Sequence, residues 1–257
     1  MKQFKNIPLG AKKDTVDNRD KLKSTKISKC SFKPLVFPKK YVLPFLPPIK
    51  NQGITNSCTG HASAWFWEQI LVSRGYPWMK FSPFYHWYYA RKMEGTENLD
   101  EGVQMRSIMS SLNKYGVTLD ELWPFGSPIN KEPTEESQIY ATLKLPVYER
   151  CQTLQDIKYS LVAETQSVCA GVNVYSTWYS ENLNFTGIIS SNILGNILGY
   201  HAIVICGYDD EKQTVLFANS WGTLYGKKGF VELPYVYFEQ SSFDAWTAGF
   251  DTIPDIR

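Results

Sequence analysis

Four residues of this 257-residue chain have the types needed for covalent acyl chemistry: Cys58, His201, Asn219 and Gln52. Cys58 ends the turn Asn51-Gln52-Gly53-Ile54-Thr55-Asn56-Ser57, and small and then aromatic residues at helical spacing follow it at once. That pattern predicts a helix starting at the cysteine. The unpaired N–H groups and positive dipole end of a helix favour thiolate, the reactive form of the side chain. A lone cysteine is more often a small buried apolar residue, so the chain must also supply a base and a group that orients it.

His201 stands near the start of the apolar run Gly199-Tyr200-His201-Ala202-Ile203-Val204-Ile205, and Asn219 ends the next one, Phe217-Ala218-Asn219-Ser220-Trp221-Gly222. Either residue by itself is compatible with a structural role. Two neighbouring strands would bring them side by side, facing the helix that carries Cys58. A nucleophilic thiol needs a histidine to hold it as thiolate and to return a proton to the leaving group, and that histidine needs a polar partner to fix its tautomer. Gln52 would add a side-chain N–H to the Cys58 backbone N–H around a developing oxyanion.

The elements that must position these groups follow from periodicity. Ala62, Trp65, Phe66, Gln69 and Ile70 fit one face of a helix that ends at Gly75-Tyr76-Pro77. Ser82-Pro83 predicts an N-cap and a proline at the first position of a second helix over 84–92. A loop over 95–102 precedes a third helix over 103–115, closed by Gly116, and a fourth helix covers 155–164. From there the period changes to two, and 167–174, 187–191, 201–208, 215–219 and 229–233 are expected strands. Helices lead and strands follow, which predicts an α+β protein with a cleft between the halves.

Composition excludes several classes. Hydrophobic residues make up 43% and charged residues 20%, as in an ordinary globular chain, and 16 Tyr, 14 Phe and 8 Trp promise a well-filled core. A net charge of +2 gives no reason to invoke nucleic acid. No apolar run approaches the roughly 20 residues of a membrane span. The N-terminus lacks an apolar stretch behind its first lysines, so no secretory signal is expected, and an intracellular, cytoplasmic location is the default, with non-classical release left open. The five cysteines form no C-x-x-C pair, so neither a disulfide framework nor a metal knuckle is expected. Cys169 and Cys206 lie in apolar strand-like runs and are assigned to the core. No cofactor and no metal is implied, and the oligomeric state is not readable.

With the residues in view, a resemblance emerges. Gln52-Gly53-x-x-x-Ser57-Cys58 resembles the active-site segment of papain-like cysteine peptidases, the C1 family. Tyr200-His201-Ala202-Ile203 with Gly207-Tyr208 resembles their histidine strand, and Asn219-Ser220-Trp221-Gly222-x-x-Tyr225-Gly226-x-x-Gly229-Phe230 is similar to their asparagine motif. The resemblance implies a two-lobe fold, with an N-terminal helical lobe, a C-terminal antiparallel β-barrel-like lobe and the active site in the cleft between. It implies endopeptidase activity through a Cys58 acyl-enzyme, with His201 as base and acid, Asn219 as its orienter, Gln52 as oxyanion donor and Trp221 as a shield over the His–Asn bond. The substrate would be a peptide or protein in extended form, seated against Gly102, with Gly171, Tyr200 and Trp221 also lining the cleft. Residues 1–40 are expected to be a lysine-rich arm or short pro-like segment, and 41–257 the peptidase domain, with a helical lobe about 41–140 and a β lobe about 141–257.

Departures from the family pattern mark the chain as a disulfide-poor member of bacterial or phage type. The positions of a common bridge hold Thr55 and Leu99, and the usual tryptophan after the nucleophile is Thr59. His61 and His86 are assigned structural roles, and Asp209-Asp210 a turn. Two other readings stand beside the peptidase: another acyl transfer such as deamidation or isopeptide cleavage, and a peptide-binding or structural component that does not use the site.

Overall fold

The computed structural model describes residue 4 and residues 7–23, 36–191, 196–240 and 243–249. Cys30 lies outside them. After a short strand β1 (Ala11–Lys12) and β2 (Lys40–Val42), the first half is built from α1 (Cys58–Ser73), α2 (Pro83–Glu94) and α3 (Met105–Tyr115), with β3 (Val103–Gln104) just before α3. α4 (Glu135–Ile139) is short, β4 (Tyr148–Cys151) and α5 (Leu154–Ala163) follow, and the second half holds β5 (Val168–Val174), α6 (Leu183–Thr186), β6 (Gly199–Asp209), β7 (Thr214–Ala218), β8 (Phe230–Pro234), α7 (Val236–Gln240) and β9 (Asp244–Ala248).

α1 is the axis of the molecule. Every residue from Cys58 to Leu71 is buried, so the expected single apolar face is replaced by burial all round, as in a helix at the centre of a domain. Two of its polar side chains are paired with loops on either side. Gln69 donates to the Thr165 carbonyl (3.1 Å) and accepts from the Ser167 N–H (2.8 Å), which pins α1 to the start of β5. Glu68 meets Lys50 at 2.6 Å and the Phe81 N–H at 2.9 Å. α2 begins as its sequence predicts: the Ser82 hydroxyl accepts from the Tyr85 N–H and Pro83 occupies the first turn.

The second half is an antiparallel sheet in the order β4-β9-β5-β6-β7-β8, with β2 added to β6 beyond the end of β5. β6 is its spine, pairing with β5 from Gly199 to Ile205 and with β7 from Val204 to Asp209. Among the described residues the sheet does not close on itself, so the expected barrel-like lobe is an open sheet with β4 and β8 at its edges. The expected strand at 187–191 is a turn after α6 that touches the sheet only at Ile188–Glu232. Val103 and Gln104, expected to open a helix, are a strand because the N-terminal segment offers them a partner in β1.

Candidate active site

Cys58 is the first residue of α1, as its sequence context predicts. The turn before it is held from within and by the loop over 97–102: Thr55 Oγ1 donates to the Gln52 carbonyl (2.8 Å), and Asn56 bonds Asp100 twice, through its N–H (2.8 Å) and its side-chain amide (2.9 Å). The Cys58 sulfur is buried, with the backbone N–H groups of Ala202, Gly10 and Thr59 near enough to lower its pKa.

On the sheet side, His201 Nε2 and Asn219 Oδ1 are 2.8 Å apart. The same amide oxygen accepts the Ser220 N–H at 2.8 Å. An oxygen already serving as acceptor requires Nε2 to carry the proton, which leaves Nδ1 of the neutral ring as the basic atom. Nδ1 is buried and has no hydrogen-bond partner among the described residues. Trp221 lies over the pair, its ring 4.9 Å from the imidazole. Gln52 is oriented from behind by Ser220 Oγ, which donates to its Oε1 at 2.7 Å, so its Nε2 faces the cleft.

The cleft is filled by the chain's own N-terminal segment. Phe4 stacks on Trp221 at 6.4 Å and meets Tyr225 edge-on at 5.2 Å. The Pro8 carbonyl accepts Gln52 Nε2 at 3.1 Å, and two residues on, the Gly10 N–H reaches the Cys58 sulfur. The Gly10 carbonyl then accepts the Val103 N–H at 3.1 Å, and β1 continues parallel to β3. The backbones lie so close that a Cβ on Gly102 would fall 1.6 Å from the Gly10 oxygen. Farther along, Lys12 pairs with Glu101 (3.0 Å) and Glu94 (3.6 Å), and Lys13 lies over the Tyr200 ring. A cavity of about 640 Å³ remains beside this segment, walled by Ile7, Pro8, Leu9, Ser176, Tyr179 and Gly199.

A sequence model of the papain family of cysteine proteases matches residues 44–240, three quarters of the chain and all four of these residues. The chain belongs to that family. Among proteins of known sequence, this papain-family chain is 27% identical over 213 residues to an uncharacterized peptidase C1-like protein of Acanthamoeba polyphaga mimivirus, spanning 76% of the chain and 68% of that protein. Among solved structures, xylellain, a cysteine protease from Xylella fastidiosa, superposes with a TM-score of 0.81 at 26% identity, over 96% of this chain and 97% of xylellain. A Carica candamarcensis cysteine protease in complex with E-64 shares the fold at a TM-score of 0.61 and 18% identity, over 82% and 98% of the two chains. Proteases of this family act on peptides or proteins.

Electrostatics in the filled cleft differ from what a helix start alone predicts. Burial pushes the Cys58 thiol up to about 11, more than the N–H groups around it lower it. Burial also brings His201 down to about 4, against the opposing effect of its bond to Asn219. With the thiol far above the imidazole, the proton stays on sulfur and both groups are neutral at pH 7. The helix-end preference for thiolate is overridden by desolvation under Gly10.

The remaining cleft residues fall as follows. Gly171 and Tyr200 form one unit: the Tyr200 hydroxyl donates to the Gly171 carbonyl (2.6 Å) and to Asp244 (2.9 Å), and a Cβ on Gly171 would meet the Tyr200 ring at 2.6 Å. Gly171 therefore borders the cleft only through the tyrosine above it. Asp244 and the arm residues were not singled out by sequence, because the five residues 244–248 are too short to show a period of their own and become β9 by pairing with β4 and β5. His61 is buried, its Nδ1 against the Ser57 carbonyl at 3.0 Å, and His86 packs beside Tyr85 with its Nδ1 3.1 Å from the Ser63 hydroxyl. The four described cysteines are all free, and Thr55 and Leu99 are not bridged. The loop carrying Leu99 is held by Arg91, which stacks on Trp87 and donates to the carbonyls of Glu97, Leu99 and Ile129.

Proposed function

We propose that the protein is a cysteine endopeptidase in which Cys58 attacks the substrate carbonyl, His201 Nδ1 takes and returns the proton, Asn219 fixes the imidazole, and Gln52 Nε2 with the Cys58 N–H holds the oxyanion. The observation that carries this reading is the segment already in the groove: an extended peptide lies across the cysteine with a carbonyl on Gln52. Gly102 receives it at backbone distance, and Trp221 and Tyr200 border it, which supports their assignment to the substrate groove.

In this state the enzyme is resting. The Gly10 N–H lies at the sulfur, so the resident segment covers the nucleophile. The neutral Cys58–His201 pair is consistent with that, since the nucleophile is the thiolate. When the segment leaves, water and substrate replace it, the thiol pKa falls, the imidazole pKa rises, and proton transfer to Nδ1 becomes favourable. Acylation then expels the amine after proton return from His201, and water attacks the thioester to release the acid.

The test is labelling by an epoxide or vinyl-sulfone thiol reagent together with hydrolysis of a peptide library. Labelling and hydrolysis lost in both Cys58→Ala and His201→Ala support the assignment. A Cys58 that labels no faster than a free thiol even with the segment released, with His201→Ala without effect, overturns it.

A further inference from the structure

The resident segment marks where the side chains of a bound peptide come to rest. A leaving amine takes its proton from His201, so the leaving half of a substrate lies toward His201 and Trp221, and the acyl half toward Gly102. Residues 10–12 occupy the acyl half: the Gly10 N–H lies at the Cys58 sulfur, Ala11 pairs with Val103 and Lys12 with Gln104. A substrate runs the other way along β3, because its acyl half must end in the carbonyl at the sulfur, but the walls that receive its side chains are the same. Side chains of an extended chain alternate in direction. Ala11 is turned inward and buried, so Lys12, the third residue counted from the sulfur, is turned to the rim.

Two carboxylates stand at that rim. The Lys12 ammonium is 3.0 Å from Glu101 and 3.6 Å from Glu94. Both acids are positioned by the body of the protein and not by the segment. Glu94 Oε1 accepts the Gln104 N–H at 2.8 Å, and the Glu101 carbonyl accepts the Trp87 indole N–H at 3.0 Å. Among the described residues no cation other than Lys12 pairs with either carboxylate. With Lys12 out of the groove, two like charges converge on one point, and a cation carried by a substrate relieves them. The charge of the whole chain is divided in the same sense. Residues 1–40 hold 12 Lys/Arg against three Asp, whereas the rest holds 15 Lys/Arg against 22 Asp/Glu, a net charge of −7 that draws cationic peptides.

We propose that Glu94 and Glu101 form an acidic subsite that selects peptides with Lys or Arg as the third residue before the scissile bond. This rests on the peptidase reading above and names the substrate class of that same site. Lys12 stands in for the substrate's basic side chain, reaching the two carboxylates from a chain of opposite direction. The Glu101 side chain is 44% exposed and that of Glu94 17%, so the selection is moderate and sensitive to salt.

The test compares, on the whole chain, peptidyl vinyl sulfones that differ only at the third residue from the warhead, which is Lys, norleucine or Glu. The warhead stands where the scissile carbonyl would be. Labelling of Cys58 by all three shares the step in which the segment leaves, so the ratio of rates reports the groove alone. Lys should exceed norleucine by about tenfold at low salt, and Glu should fall below norleucine; at about 0.5 M NaCl the Lys preference should shrink to about threefold or less. Glu94→Gln with Glu101→Gln should abolish the ratio. Glu94→Gln with Glu101→Lys should make Glu the preferred residue, a reversal that a general loss of structure would not produce. Equal rates for Lys and norleucine in the wild type, or a Lys preference that survives the double change to Gln, overturns the subsite. The same peptides with a carboxamide in place of the warhead, titrated against Cys58→Ala by NMR, carry the comparison without the thiol. Lys-selective binding there, with no labelling of Cys58 in the wild type, would count against the peptidase reading and leave the subsite standing; binding without selectivity overturns the subsite.

Discussion

Two buried polar clusters are closed by the same N-terminal segment, and they are built on opposite principles. Around Lys23, one cation meets two carboxylates; burial works against the charge, but Glu164 and Glu149 more than offset it and hold the ammonium above its ordinary pKa. Around Cys58 and His201, burial has no opposing charge to offset it, and both groups are driven neutral. The contrast teaches that burial alone does not decide ionisation; the partners brought in with the group do. A cluster with its counter-charges built in is fixed, whereas one whose charge depends on solvent can be switched by uncovering it.

The largest way to break the comparison is to remove the switchable cluster's chemistry. With the N-terminal segment displaced from the cleft, Cys58→Ala or His201→Ala should lower kcat/KM by about 10⁴-fold or more, since members of such a unit fail together. Gln52→Ala should cost about 10²–10³ in kcat, the usual effect of losing one oxyanion donor. Gly102→Ala sharpens the geometry: its Cβ would occupy the place of the Gly10 carbonyl, so the N-terminal segment should be displaced and Cys58 should label faster.

A smaller effect concerns pH. Burial, and then the nearby Asp244 carboxylate, raise Asp14 to about 6 when docked, with the Arg106 N–H, the Trp246 indole and the charges of Arg106 and Arg150 opposing. A carboxyl whose docked pKa exceeds its ordinary value near 3.8 takes up a proton on docking. Its contribution to docking is therefore greatest below pH 4 and is lost as pH rises through about 6. The N-terminal segment should accordingly leave the cleft more readily at pH 7 than at pH 5, by up to about tenfold, in hydrogen–deuterium exchange corrected for its intrinsic pH dependence; Asp14→Asn should flatten the difference.

The catalytic set was legible because each member stands in a local pattern that fixes its element: Cys58 after a turn and before a helical run, His201 and Asn219 on apolar strands. The helix caps at Ser82 and Gly116 were legible for the same reason. What was not legible depends on partners distant in sequence. Residues 7–13 have no periodicity of their own and become ordered by lying on Gln52, Val103 and Tyr200. Lys23 looks like any lysine of a basic arm, and only the fold brings Glu149 and Glu164 to it. β9 is the five-residue run Asp-Ala-Trp-Thr-Ala, too short to show a period of its own, and is a strand because β4 and β5 flank it. Conversely, residues 187–191 have strand composition but no ladder to join.

The double hydrogen bond between Asn56 and Asp100 joins the nucleophile turn to the 97–102 loop one residue beyond Thr55 and Leu99, where relatives carry a covalent bridge. An amide and a carboxylate hold this junction without sulfur. Among the described residues no disulfide ties the scaffold, so a thiol reductant acts there on free thiols only, and of the described cysteines Cys58 is the one that lies in the cleft.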